Sequence, residues 1–140
     1  MSEHNIYINQ FHSSIRNFLE DIGLADTSGV PARDYYVLTI EEQLPINLSI
    51  DDNGILTIHS TIKNISNQDN CHLFKFLLQR NDLSRKAPRF TTGLDGEDNV
   101  IIFHQEKLSE LQREPLFRLI HDFFGEASNL LQRVGGDNSL

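Results

Sequence analysis

The residues of this chain best suited to chemistry are six histidines and one cysteine, and their spacing decides how far that chemistry reaches. His4, His12, His59, His72, His104 and His121 contain no His-x-x-x-His pair, the spacing that turns two imidazoles onto one helical face around zinc. Cys71 alone does not build a cysteine-rich structural zinc site. Cys71 and His72 are neighbours, so on a helix their side chains diverge by about 100° and do not form a nucleophile and its base. His59 and His104 both fall in strand-like segments; the favoured reading is two satisfied or exposed histidines, and the other is that they approach one another across a sheet as a small-molecule or metal site. Asp51-Asp52-Asn53-Gly54 lacks the alternating oxygens and the distant glutamate of a calcium loop, and its residues are those of a hairpin turn. The acidic stretch Asp95-Gly96-Glu97-Asp98-Asn99 reads the same way. There is no glycine-rich phosphate loop and no Gly-x-Ser-x-Gly elbow. The expectation is a protein without catalytic residues, metal or cofactor, one that works by binding.

The elements that would position a binding surface are legible in the periodicity. Phe11, Ile15, Phe18, Leu19 and Ile22 fall on one helical face, with Arg16, Asn17, Glu20 and Asp21 behind it and Gly23 as the stop. Residues 25–31 read as a loop. The period then changes. Tyr35-Tyr36-Val37-Leu38-Thr39-Ile40 is rich in aromatic and β-branched residues, and Ile46, Leu48 and Ile50 alternate with polar neighbours. Asn53-Gly54 supplies a turn that tolerates positive φ, and Leu56, Ile58, Ser60 and Ile62 form the returning strand. Residues 63–70 are polar and read as a loop, with Asp69 or Asn70 as the cap of a short helix ending at about Asn81. Past Pro88, a fourth strand falls at Phe90-Thr91-Thr92 and a fifth at Val100-Ile101-Ile102-Phe103. Ser109 with Gln112 has capping-box spacing for a helical turn ahead of Pro115. Leu116, Leu119, Ile120, Phe123, Phe124, Ala127, Leu130 and Leu131 define a last helix that ends at Gly135-Gly136. The predicted order is α-βββ-α-ββ-α, an α+β fold with helices packed on a twisted antiparallel sheet, in a single domain over 1–140.

The bulk numbers narrow the partners. A chain of 140 residues with 39% hydrophobic and 23% charged content is sized and composed for one globular core. Twenty acidic against twelve basic side chains give a net charge of −8, a field that repels a phosphate backbone and argues against nucleic acid. The basic residues gather locally at Arg80, Arg85, Lys86 and Arg89, either a solvated loop or a contact for an acidic partner. No apolar run approaches the ~20 residues of a membrane span, so no membrane insertion is expected. The amino-terminal residues lack the basic and apolar regions of a signal peptide, and one cysteine suits a reducing compartment. The expected location is the cytoplasm.

The Leu77-Leu78-x-x-Asn81 helix end, Gly93-Leu94-Asp95 leading toward the fifth strand, and Phe123-Phe124-x-x-Ala127 in the final helix resemble the class I chaperones of type III secretion, across nearly the whole chain. Two features depart from that pattern: 63–68 is polar where the family often has an apolar turn, and the last helix has no tryptophan. The resemblance implies a small, acidic, cytoplasmic homodimer. Such a chaperone holds the amino-terminal segment of a secreted effector extended and soluble, delivers it to the export apparatus, and takes the export ATPase as a second partner. It also implies grooves built from the first helix and first three strands, to which Phe18, Leu19, Leu38, Ile40, Leu48 and Ile58 would contribute as effector-binding residues. The competing reading of those six is that they are core. The dimer interface implied by the resemblance lies on the second helix and fourth strand, with Phe74, Leu78, Phe90 and Leu94 as candidates. The alternative function is an α+β protein-interaction or regulatory domain unrelated to secretion.

Overall fold

Packing of apolar stripes accounts for most of what a computed structural model of the chain shows; it describes residues 3–23, 33–40, 44–66, 71–81, 90–111 and 113–135. Helix α1 spans Glu3–Asp21 and buries Phe11, Ile15 and Phe18. It begins well before Phe11 because Tyr7 and Ile8 prolong the same stripe and also pack against the core. It stops at Gly23, whose φ of +76° only glycine adopts freely and whose N–H donates to the Glu20 carbonyl.

Five strands follow the predicted order: β1 (Tyr35–Ile40), β2 (Leu44–Ile50), β3 (Ile55–Asn64), β4 (Thr91–Leu94) and β5 (Asn99–Lys107). They form one antiparallel sheet in the order β1-β2-β3-β5-β4, which leaves β1 and β4 as its edges. β5 is longer than expected. Beyond Phe103 it carries polar residues, yet it stays paired to β3 as far as Ile55 opposite Lys107. A bulge between Thr61 and Lys63 absorbs the extra residue of that long pair.

Alternation within the strands builds two unlike faces. Ile46, Leu48, Leu56, Ile58, Val100 and Ile102 point to one side and are buried. That side is covered by α1 and by α3, which runs over Arg113–Gly135 and buries Leu116, Ile120, Phe123, Ala127, Leu130 and Val134. Each such buried aliphatic or aromatic side chain stabilises the fold by about 1.5–3 kcal/mol. On the opposite side, among the described residues, no side chain is fully buried. Helix α2 (Cys71–Arg80) sits beyond β4 and buries Leu73 and Leu77 in the core, with Phe76 packed against it. A 3₁₀ turn at Leu108–Glu110, with Lys107 in the cap position, stands two residues ahead of the helical turn expected from Ser109 as cap. Among the described residues no helix is long and apolar enough to cross a membrane. The caps proposed at Asp69 or Asn70, the loop 25–31, Arg85, Lys86 and Arg89 lie outside the described residues.

The strand register corrects one expectation. His59 stands opposite Phe103, and His104 opposite Ile58, so the two imidazoles leave the sheet on opposite faces. His104 lies edge-on to Phe90 with ring centroids 5.5 Å apart, and its Nε2 is 3.5 Å from Glu106. The two histidines do not share a site.

Candidate functional site

The β1 edge is the part of the surface best built to receive another chain. In an antiparallel ladder, residues alternate between bonding the neighbouring strand and pointing their N–H and C=O away from it. The Asp34 carbonyl accepts the Ile50 N–H at 3.0 Å, which sets the parity: Tyr36, Leu38 and Ile40 face β2, while Tyr35, Val37 and Thr39 turn their backbone groups outward. The same three residues place their side chains on the face away from the helices. Tyr35 is 57% exposed and Val37 52%, large apolar side chains beside backbone groups that bond no neighbouring strand among the described residues.

The strand that carries this edge is held from behind. Tyr36 is buried, its ring 5.5 Å from Phe11 and stacked on His12 at 5.8 Å, with the Arg33 guanidinium 4.5 Å above it. The Tyr36 hydroxyl and His12 Nδ1 are hydrogen-bonded. Burial, and after it the charges of Arg16 and Arg33, hold the His12 pKa below its ordinary value and favour the neutral imidazole. β1 is thereby fixed to α1 through Tyr36 while Tyr35 and Val37 stay open.

Of the residues proposed for effector binding, Phe18, Leu48 and Ile58 are buried beneath the helices at 4%, 0% and 0% exposure. Side chains so placed shape the core and offer no surface. Leu19 and Leu38 are half-buried at its margin, and the side chain of Ile40 lies outside the described residues. Tyr35 and Val37 were missed because Tyr35-Tyr36-Val37-Leu38 is apolar throughout, so period two gives no sign of which alternate set faces out. Among the proposed dimer residues, Phe74 (40%), Leu78 (73%) and Leu94 (42%) are exposed. Phe74 and Leu78, with Cys71, Lys75 and Gln79, line a shallow depression on α2. Phe90 differs from them. It is buried, edge-on to Phe123 with centroids 5.2 Å apart, and belongs to the core.

No protein-family model and no curated protein sequence matches the chain. Solved structures do. The type III secretion chaperone SycH of Yersinia pestis, in complex with a fragment of YscM2, is similar at 17% identity over 86% of this chain and 98% of its own, with a TM-score of 0.63. A chain of the heterodimeric ExoU–SpcU complex from the type III secretion system of Pseudomonas aeruginosa matches at 15% identity, covering 84% and 94%, with a TM-score of 0.66. The HopA1–SchA chaperone–effector complex matches at 11% identity, covering 88% and 94%, with a TM-score of 0.66. The chain has the fold of the type III secretion chaperones.

Proposed function

We propose that this protein is a cytoplasmic type III secretion chaperone that binds the amino-terminal segment of one or more secreted virulence effectors. The observation that carries the reading is the likeness of fold, over more than four-fifths of the chain, to chaperones solved with their partners. The geometry supports a mechanism of stoichiometric binding without catalysis. An extended segment adds itself to β1 through the outward groups of Tyr35, Val37 and Thr39, and its alternate side chains pack on the exposed Tyr35 and Val37. Main-chain bonds of this kind are indifferent to sequence, and each buried apolar anchor adds about 1.5–3 kcal/mol. Several anchors offset the ordering of a disordered partner, which costs about 2–5 kcal/mol or more. Leu78, Phe74 and Leu94 supply the apolar surface of a homodimer, and delivery to the export apparatus brings the export ATPase as a further partner.

The test is affinity purification of the tagged chain from its native host with mass spectrometry of what accompanies it. Recovery of secreted proteins bound through their amino-terminal segments, with or without an export ATPase, is the expected outcome. Recovery of folded cytoplasmic proteins alone would point instead to an interaction domain outside secretion.

A further inference from the structure

The two edges of the sheet are not treated alike. On β4 the alternation is set by Asp95, whose N–H donates to the Asn99 carbonyl at 3.1 Å, so Thr91 and Gly93 face β5 while Thr92 and Leu94 turn outward. Thr92 is the central outward residue of this four-residue strand, and its backbone is already taken. The Thr92 N–H donates to Asn81 Oδ1 at 3.0 Å, and Asn81 Nδ2 donates to the Thr92 carbonyl at 2.9 Å. A carboxamide offers the same donor and acceptor as one residue of a neighbouring strand, so Asn81 occupies the place where an added strand would bond. It is held there by the end of α2: its own N–H donates to the Leu78 carbonyl at 3.2 Å, and the Thr92 hydroxyl donates to the Leu77 carbonyl at 3.0 Å. Nothing equivalent stands beside Tyr35, Val37 or Thr39 among the described residues.

We infer that Asn81 seals the β4 edge against strand addition and so leaves β1, among the described residues, as the edge open to an extended partner. This gives the asparagine of Leu77-Leu78-x-x-Asn81 a physical role that spacing alone does not show. Exposed strand edges invite pairing with other chains, and covering one by a neighbouring element is a known remedy. The choice of β1 as the receiving edge rests on the proposed binding of an extended segment; the seal itself does not.

Amide hydrogen exchange on the full-length chain, followed residue by residue by nuclear magnetic resonance, tests it. In the unaltered protein Thr92 is expected to exchange as slowly as the β3–β5 ladder, with Val37 and Thr39 at least ~100-fold faster. In Asn81→Ala, Thr92 is expected to join the fast class while the ladder keeps its protection. Sedimentation of that variant should show species heavier than the unaltered protein as concentration rises. A Thr92 amide as fast as Val37 in the unaltered protein would overturn the inference, as would slow exchange at Val37 and Thr39. An Asn81→Ala variant whose Thr92 stays protected, or whose mass is unchanged, would also overturn it. Should that variant unfold, the comparison of Thr92 with Val37 in the unaltered protein decides alone. No secreted partner enters the measurement, so failure of the seal and failure of the chaperone reading remain distinct results.

Discussion

Two turns show how single residues set the sheet, and both begin with an aspartate. Asp51 Oδ1 accepts the N–H groups of Asn53 and Ile55 at 2.8 and 2.9 Å, and Asp95 Oδ1 accepts those of Glu97 and Asn99 at 2.9 and 3.0 Å. Each hairpin then needs one left-handed residue, supplied by Gly54 (φ +78°) in the first and by Asp98 (φ +65°) in the second. Asn53 does not share the positive φ, so the first hairpin is a three-residue turn with one left-handed position and not the two-residue turn that Asn-Gly suggests. Gly54 carries a second demand, because a Cβ there would lie 2.7 Å from the Tyr7 ring. Gly54→Ala is therefore expected to lower unfolding free energy by at least about 1–2 kcal/mol from the backbone alone. Combining it with Tyr7→Ala should relieve the clash and leave that backbone cost, a pattern urea titration of the single and double variants will resolve. Asp95 has a further signature in pH. The Asn99 side chain, then the backbone N–H groups of Asn99 and Glu97, hold its pKa below the ordinary 3.8. A depressed carboxylate stabilises the fold fully above that ordinary value and loses its contribution as pH falls through the lower folded one. Asp95→Asn is expected to flatten the acid limb of stability between about pH 5 and about pH 2. An unchanged limb would mean that other carboxylates, such as Asp21 beside Arg113, carry it.

Among the elements, α2 and β1 are the two proposed to bind through their exposed sides, and both hid their orientation in the sequence. α2 is apolar around much of its circumference: Leu73 and Leu77 face the core, while Phe74 and Leu78 face outward. A helix with apolar residues on a second face, about 100° round from the first, has an interface to offer besides the core, which here is proposed to be the dimer contact. Leu78→Asp is expected to halve the mass seen by light-scattering chromatography while the chain stays folded, its thermal stability falling only by what the dimer contributed, because a residue 73% exposed in the isolated chain contributes little to its core. An unchanged mass would remove α2 from the dimer contact. In β1, four consecutive apolar residues conceal the parity that the pairing with β2 fixes. The half-buried strand β2 was legible for the opposite reason, since Ile46, Leu48 and Ile50 alternate with polar residues and all three are buried as that alternation requires. Leu48 and Ile58 nonetheless pointed to a binding surface only through family likeness, and alternation marks a face without showing whether a helix covers it.

At the scale of the whole molecule, element order and fold class were readable because each amphipathic stretch keeps one clean period, most plainly Leu116 through Leu130 in α3. The strand order β1-β2-β3-β5-β4 was not, because pairing β3 with β5 joins residues from 35 apart (Asn64 with Asn99) to 52 apart (Ile55 with Lys107) across a bulge that no local pattern marks. That order sets β1 and β4 at the rims, and the β3–β5 register sends His59 and His104 to opposite faces. The helices cover one face and α2 closes one rim, which makes the β1 rim, with the exposed Tyr35 and Val37, the proposed place for an extended partner.

The most direct measurement is amide hydrogen exchange of the chain with and without the amino-terminal segment of a secreted protein that co-purifies with it, made in parallel on Val37→Pro. That proline costs no bond to β2, because the Val37 N–H points outward, so the variant is expected to fold and dimerise normally. On adding the segment, protection should rise at Tyr35, Val37 and Thr39 in the unaltered chain, and Val37→Pro should lose binding by at least tenfold. Protection that appears elsewhere, with β1 unchanged and Val37→Pro binding as well as the unaltered chain, would contradict strand addition at β1.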